Sequence, residues 1–280
     1  MAASEPRPRI TMQDVDGVLL RTAFWAAKVD EGKRPLLFFN GIGANLELTH
    51  ALGDMFPDRD IITFDVPGVG KSPVTQWPYR PWMLARWARR LLDQFGIDEV
   101  DVMGVSWGGA LAQQFAFQYR NRVGKLILCA TTAGMTMVPG KPKSLSKMVD
   151  ARRYTDANYM RDNFATLYGD EADAQAGEHI TRLMPPDPKG YVFQLLAFIG
   201  WSSLPFIRFL RMPALIMMGD NDSIVPLANG HILKVALPNS RLHVVEGGGH
   251  LFLVTRAAET ADVIKGFLAE EDVPETLVAA

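Results

Sequence analysis

The sequence predicts an α/β protein: a mostly parallel central sheet flanked by helices, with a helical insertion late in the chain. Three observations predict it. Short β-rich apolar runs alternate with amphipathic helical stretches, the pattern of parallel strands joined by crossover helices. The alternation fails once, over residues 133–208, where strand signals vanish and prolines and aromatics gather. The 280 residues are 48% apolar and 21% charged, the make-up of an ordinary globular chain rather than a disordered one.

Taken in chain order, the candidate strands are Pro35 to Phe39, Ile61 to Phe64, Glu99 to Val105, Lys125 to Cys129, Ala214 to Met218 and Arg241 to Val245. The first leads into Asn40-Gly-Ile-Gly43, a glycine-bearing loop. The second leads into Asp65-Val-Pro-Gly-Val-Gly-Lys-Ser72, which lacks the spacing of a phosphate-binding loop and reads as a turn, so no nucleotide cofactor is expected. Leu84, Trp87, Ala88, Leu91 and Phe95 recur at helical spacing, with Arg86, Arg89 and Arg90 on the opposite, solvated face. The 133–208 stretch is too long for an ordinary connection and is expected to form a helical cap, leaving 1–132 and 209–280 as the core domain.

Charge and cysteine content exclude several function classes. Twenty-nine basic residues against thirty-one acidic leave a net charge of −2, no field for gripping a nucleic-acid backbone or an anionic bilayer. Cys129 is the single cysteine, so neither an internal disulfide nor a zinc cage is expected, and it reads as a core filler. No metal or other cofactor is called for. Residues Met1 to Arg9 carry prolines and a glutamate but no apolar segment, which points to a cytoplasmic address. The uncharged run Gly190 to Ile207 is interrupted by Gln194, Ser202, Ser203 and Pro205, and no transmembrane segment is expected.

Chemistry concentrates at three places. Gly104-Val-Ser-Trp-Gly108 lies between a valine-rich strand and the helical pattern Ala110 to Tyr119, the strand–turn–helix setting in which G-x-S-x-G exposes a nucleophilic serine, Ser106. A serine hydroxyl needs a base, itself oriented by a carboxylate, in the chain order serine, acid, histidine. The acid belongs after the strand ending at Met218, where Asp222 is the first choice and Asp220 is expected to order the turn. The base is His250, in a glycine-rich loop after the last strand; His50, His179, His231 and His243 have no comparable setting and are read as structural. Backbone N–H groups of Ile42 and Trp107 are the expected oxyanion donors, with Asn40 holding the first loop. Phe198 and Trp201, in the uncharged cap stretch, are the expected substrate contacts together with Asn40.

With these residues assembled, the chain resembles an α/β-hydrolase, and within that fold the intracellular depolymerases of medium-chain-length poly(3-hydroxyalkanoates). The likeness rests on Phe39-Asn-Gly-Ile-Gly-Ala-Asn-Leu-Glu-Leu48, Phe64-Asp-Val-Pro-Gly-Val-Gly70, the run from Gly104 to Phe115, Met137-Val-Pro-Gly-Lys-Pro-Lys143, Arg152-Arg-Tyr154 and His250-Leu-Phe-Leu-Val-Thr-Arg256. The resemblance implies that Ser106, Asp222 and His250 hydrolyse polyester bonds, releasing 3-hydroxyalkanoic acids or oligomers at storage granules. It departs at Gly247 and Gly248, where relatives tend to be acidic, and through the middle of the cap. A small-molecule carboxylesterase and a carbon–carbon bond hydrolase use the same triad and stay open as alternatives. A catalytically silent granule-binding protein is the alternative of another class.

Overall fold

The computed structural model describes residues 8–148, 150, 152, 156–168, 177 and 180–271. Met1 to Arg7, Arg153, Tyr154 and His179 lie outside the described residues. Eight strands form one sheet: β1 (Arg9–Val15), β2 (Val18–Trp25), β3 (Leu36–Phe39), β4 (Ile61–Phe64), β5 (Val100–Val105), β6 (Val123–Cys129), β7 (Ala214–Gly219) and β8 (Ser240–Val245). Their spatial order is β1-β2-β4-β3-β5-β6-β7-β8. β3 to β8 are parallel, as predicted, while β1 and β2 add an antiparallel edge.

That edge hairpin is absent from the sequence reading. Its signal is Asp16-Gly17 between alternating residues: both take positive φ (53° and 80°), the two-residue turn that suits the twist of paired strands. The central strands β3, β4 and β7 are buried along their whole length, which is why they read as continuous apolar runs rather than as alternation. Side chains still divide by face. Leu37 and Phe39 pack with α2 (Pro81–Gln94) and α3 (Trp107–Gln118), while Leu36 and Phe38 join the opposite layer with Phe252, Ile264 and Phe267. Cys129 is fully buried in that second layer, where burial pushes its thiol pKa far up, so it fills space and stays protonated. The arginine face of α2 is solvated and ion-paired: Arg86 and Arg90 reach Asp16, and Arg89 reaches Asp93.

Between β6 and β7 the described residues contain helices and a single two-residue bridge, Gly134 with Ser202, but no strand. Among the described residues, α4 (Pro142–Met148), α5 (Ala157–Tyr168) and α6 (Pro188–Ala197) follow α1 (Leu52–Met55), α2 and α3 in chain order, and α7 (Ala228–Ala236), α8 (Phe252–Thr255) and α9 (Ala257–Ala269) come after β7. α6 starts on Asp187, whose carboxylate accepts from the N–H groups of Lys189 and Gly190. It rests backbone to backbone on the 65–72 turn: a Cβ on Gly190 would lie 2.4 Å from Gly68 Cα. Phe193 meets Tyr79 edge to face at 6.4 Å. The connection is thereby seated over the carboxyl ends of the strands, where open parallel sheets place their ligand sites. Among the described residues no helix is long and apolar enough to cross a membrane.

Candidate active site

The turn from β5 into α3 brings Ser106 to the carboxyl end of the sheet. Its φ of 55° and ψ of −120° lie in a region that side-chain-bearing residues rarely adopt, strain that persists because the surroundings hold it. Ser106 N–H donates to Cys129 O at 2.8 Å, and Thr131 Oγ1 donates to Ser106 O at 2.7 Å. The flanking glycines are demanded by contact. A Cβ on Gly104 would sit 2.3 Å from Gly108 O, and one on Gly108 would sit 2.2 Å from Phe39 O.

His250 Nε2 stands 3.0 Å from Ser106 Oγ, and His250 Nδ1 stands 2.7 Å from Asp222 Oδ2. The three residues predicted from chain order are therefore joined in one hydrogen-bonded series, with Asp222 and His250 buried and Ser106 half-buried. Asp222 is fixed from its other side, where Oδ1 accepts from the N–H groups of Ile224 and Val225, each at 2.8 Å. Turn ordering was expected of Asp220; Asp220 is exposed, and Asp222 itself takes the turn amides. The glycine loop is held by contact, since a Cβ on Gly219 would lie 2.1 Å from Gly248 O.

Residues outside the sequence reading complete this arrangement. The Tyr168 carbonyl accepts from His250 N–H, and the Tyr168 ring lies nearly parallel to the imidazole at 6.5 Å. Asn229 grips Val138 in both directions, at 2.8 and 2.9 Å, and Lys141 N–H donates to Ser223 O at 2.8 Å. The Met137 to Lys143 segment thus buttresses the Asp222 turn, with Gly140 so close that a Cβ would meet Ile224 O at 2.3 Å.

The loop after β3 borders the nucleophile, a Cβ on Gly41 lying 3.8 Å from Ser106 Cβ. Asn40 holds this loop as expected, accepting from Gly41 N–H at 2.9 Å and donating to Asn45 O at 3.3 Å. Gln194 of α6 is the residue that sequence reasoning missed: buried, it accepts from Gly43 N–H at 2.9 Å, while its carbonyl accepts from the Trp107 indole at 3.1 Å. One residue of α6 therefore touches both segments that carry the expected oxyanion donors. Below them, Asn45 donates to Glu47 and Arg182 O and accepts from Met184 N–H. Burial opposes ionisation of Glu47, but Arg21 and Asn45 outweigh it and hold its pKa at about 2. At Asp65 burial wins, pushing its carboxyl up to about 6 against Lys71 N–H and Arg21.

A cavity of about 290 Å³ opens beside His250. Its apolar wall includes Phe38, Leu48, Leu52, Met103, Leu253 and Val254, and its polar groups include Asn40, His50 and Arg182. Of the expected substrate contacts, Asn40 is part of this lining, whereas Phe198 and Trp201 are not. Phe198 stands edge-on to Trp107 at 5.0 Å and to Trp201 at 4.9 Å, and the Trp201 indole donates to Gln114 Oε1 at 2.6 Å. These rings lock the long connection onto α3, because an indole finds its polar partner there rather than in the site. His50, read as structural, lies instead on the cavity wall; His231 is exposed on α7 and His243 lies within β8. Among the described residues no group of His, Cys, Asp and Glu is placed to hold a metal ion.

Comparison with known proteins agrees with this architecture. The chain is 43% identical over 274 residues to a poly(3-hydroxyalkanoate) depolymerase of Ectopseudomonas oleovorans, covering 95% of each chain. It is 31% identical to a 2-hydroxymuconate semialdehyde hydrolase of Pseudomonas putida, over 76% of this chain and 78% of that one. An esterase from Exiguobacterium antarcticum shares the fold with a TM-score of 0.79 at 18% identity, over 93% of this chain and 99% of that one. Residues 34–257 match the family described as alpha/beta hydrolase fold, and the chain belongs to that family.

Proposed function

We propose that this protein is a serine ester hydrolase that cleaves poly(3-hydroxyalkanoate). The observation that carries the reading is the Ser106–His250–Asp222 series in a chain 43% identical, almost end to end, to a polymer depolymerase. His250 Nε2 takes the Ser106 proton as Oγ attacks the ester carbonyl, and Asp222 holds the imidazole tautomer and stabilises its cation. The oxyanion is held by the N–H groups of Ile42 and Trp107. The carbonyl–oxygen bond breaks, the leaving alkoxide takes the proton from His250, and a water activated by the same imidazole releases the acid. No cofactor takes part in these steps.

Residues 133–208 form the cap over this site, the remaining residues being the core domain. The outward face of α6 and the turn after it support an encounter with an apolar polymer: Val192, Leu195 and Leu196 on the helix and Ile199 just beyond it are each more than a third exposed, and no charge falls between Lys189 and Arg208. This face fits action at the surface of cytoplasmic storage granules. The test is incubation with amorphous poly(3-hydroxyoctanoate) and chromatography of the soluble fraction. Release of 3-hydroxyoctanoic acid or its oligomers is expected; cleavage of small esters without release from polymer would return the protein to the small-ester reading. The 31% identity to a carbon–carbon bond hydrolase favours that chemistry as second reading, and turnover of a semialdehyde in place of esters would establish it.

Gln194 gives a further expected result. In Gln194→Leu the Gly43 N–H loses its partner inside the protein, which costs about 1–3 kcal/mol and loosens the Ile42 loop. Turnover is expected to fall about tenfold or more with KM little changed; steady-state kinetics on one soluble ester checks it.

A further inference from the structure

The cavity beside His250 has a position that says which part of an ester it receives. Its lining includes His250, Leu251 and Val105 but neither Gly41 nor Trp107, which border a separate small space of about 10 Å³ with Gln194. On the mechanism proposed above, the ester carbonyl oxygen lies toward Trp107 and the loop of Ile42, so the bond to the leaving oxygen points toward His250, its proton donor. The larger cavity therefore lies on the leaving-group side. In a 3-hydroxyalkanoate polymer the leaving oxygen is borne by C3 of the next unit, and that carbon carries the alkyl side chain directly.

We propose that the cavity between Leu48–Met55 and His250–Ala257 receives the alkyl side chain of the leaving 3-hydroxyacyl unit, and that its walls set the chain-length preference on that side of the scissile bond. Size agrees. An apolar cavity of about 150 Å³ accepts a benzene molecule of six carbons. At the same density, about 290 Å³ takes roughly eleven heavy atoms, one hydroxyacyl unit with a side chain of about five to seven carbons and no more. The chemistry agrees as well. Phe38, Leu52 and Met103 form a wall with nothing to hydrogen-bond, suited to methylenes, while Asn40 and His50 lie where the unit's carbonyl end needs polar company. The inference rests on the hydrolase mechanism but not on the polymer being the natural substrate.

Two ester series separate the sides of the bond. In acetates of 2-alkanols from propan-2-ol to nonan-2-ol the leaving alcohol grows; in p-nitrophenyl esters from acetate to octanoate the acyl group grows. Each added methylene in the alcohol series is expected to raise kcat/KM about threefold to fourfold until the cavity is full, then stop. Leu48→Phe and Ala257→Met narrow the cavity from opposite walls, and both positions are half-buried, so larger side chains are tolerated. Each is expected to lower the ratio of kcat/KM for the nonan-2-yl to the propan-2-yl ester at least tenfold while leaving the octanoate-to-acetate ratio within twofold. An unchanged alcohol ratio in both variants, or a loss confined to the acyl series, would overturn the assignment. Binding of methyl 3-hydroxyoctanoate against methyl 3-hydroxybutyrate to the Ser106→Ala protein, followed by calorimetry, reads the cavity without turnover. Preference for the longer ligand, lost when Leu48→Phe is added, supports the site even if ester hydrolysis itself fails; equal affinity overturns it.

Discussion

Replacing Ser106 by alanine is expected to lower ester hydrolysis by about four to six orders of magnitude with the fold intact. The hydroxyl stands 3.0 Å from His250 Nε2, within reach of proton transfer. Its removal leaves no nucleophile, and the residual rate comes from water in a site that still binds ester and oxyanion. The backbone at φ 55° is held by Cys129 O and Thr131 Oγ1 rather than by the side chain, so unfolding midpoints should stay close to those of the parent protein. The measurement is hydrolysis of a soluble ester together with labelling by a fluorophosphonate. Loss of both is the expected result; a variant that hydrolyses at the parent rate would refute Ser106 as nucleophile and place the chemistry on another group.

Asp222→Asn is expected to cost about four orders of magnitude in turnover, and the structure gives the reason. Oδ1 of Asp222 accepts from the N–H groups of Ile224 and Val225, both of which are donors. An asparagine must keep its carbonyl oxygen on that side, which turns its NH2 toward His250 Nδ1. Donation to Nδ1 forces the proton onto Nε2, and an imidazole protonated at Nε2 cannot take the Ser106 proton. Because the side chains are nearly isosteric, substrate binding should survive, and the loss should appear in kcat rather than KM. A variant with parent kcat, or one whose loss lies wholly in KM, would sink the orienting role assigned to Asp222.

Much of the site was legible because its parts are local. A serine between two glycines at a strand end, and a histidine after a glycine run, are short-range patterns in which spacing imposes backbone geometry. The buried strands were legible for a related reason: β3, β4 and β7 are covered on both faces and so are almost wholly apolar, Thr63 being the polar residue among them. β1 was overlooked because an edge strand leaves much of its length exposed, so Arg9 to Val15 mixes polar and apolar side chains; β2 is largely buried, but the buried polar Arg21 and Thr22 interrupt its apolar pattern. Asp220 and Asp222 are two residues apart in one turn, and burial together with the amides of Ile224 and Val225 separates them in the fold.

The contacts that the sequence did not announce are those made across long separations. Gln194 lies 151 residues from Gly43, and Asn229 lies 91 residues from Val138. A glutamine or asparagine at a helix position carries no mark of the distant N–H it will satisfy. The same limit explains Phe198 and Trp201: aromatic residues in an uncharged stretch are apolar surface in either role, and the partner decides between a substrate wall and packing against Trp107. The sequence by itself determined the class of fold, the chain order of Ser106, Asp222 and His250 that the structure joins in one hydrogen-bonded series, and a net charge near zero, since each follows from periodicity, spacing or a sum. The tertiary structure alone decided that Gln194 meets Gly43 and Trp107 and that a cavity opens beside His250, because such contacts and spaces lie between elements that only folding brings together.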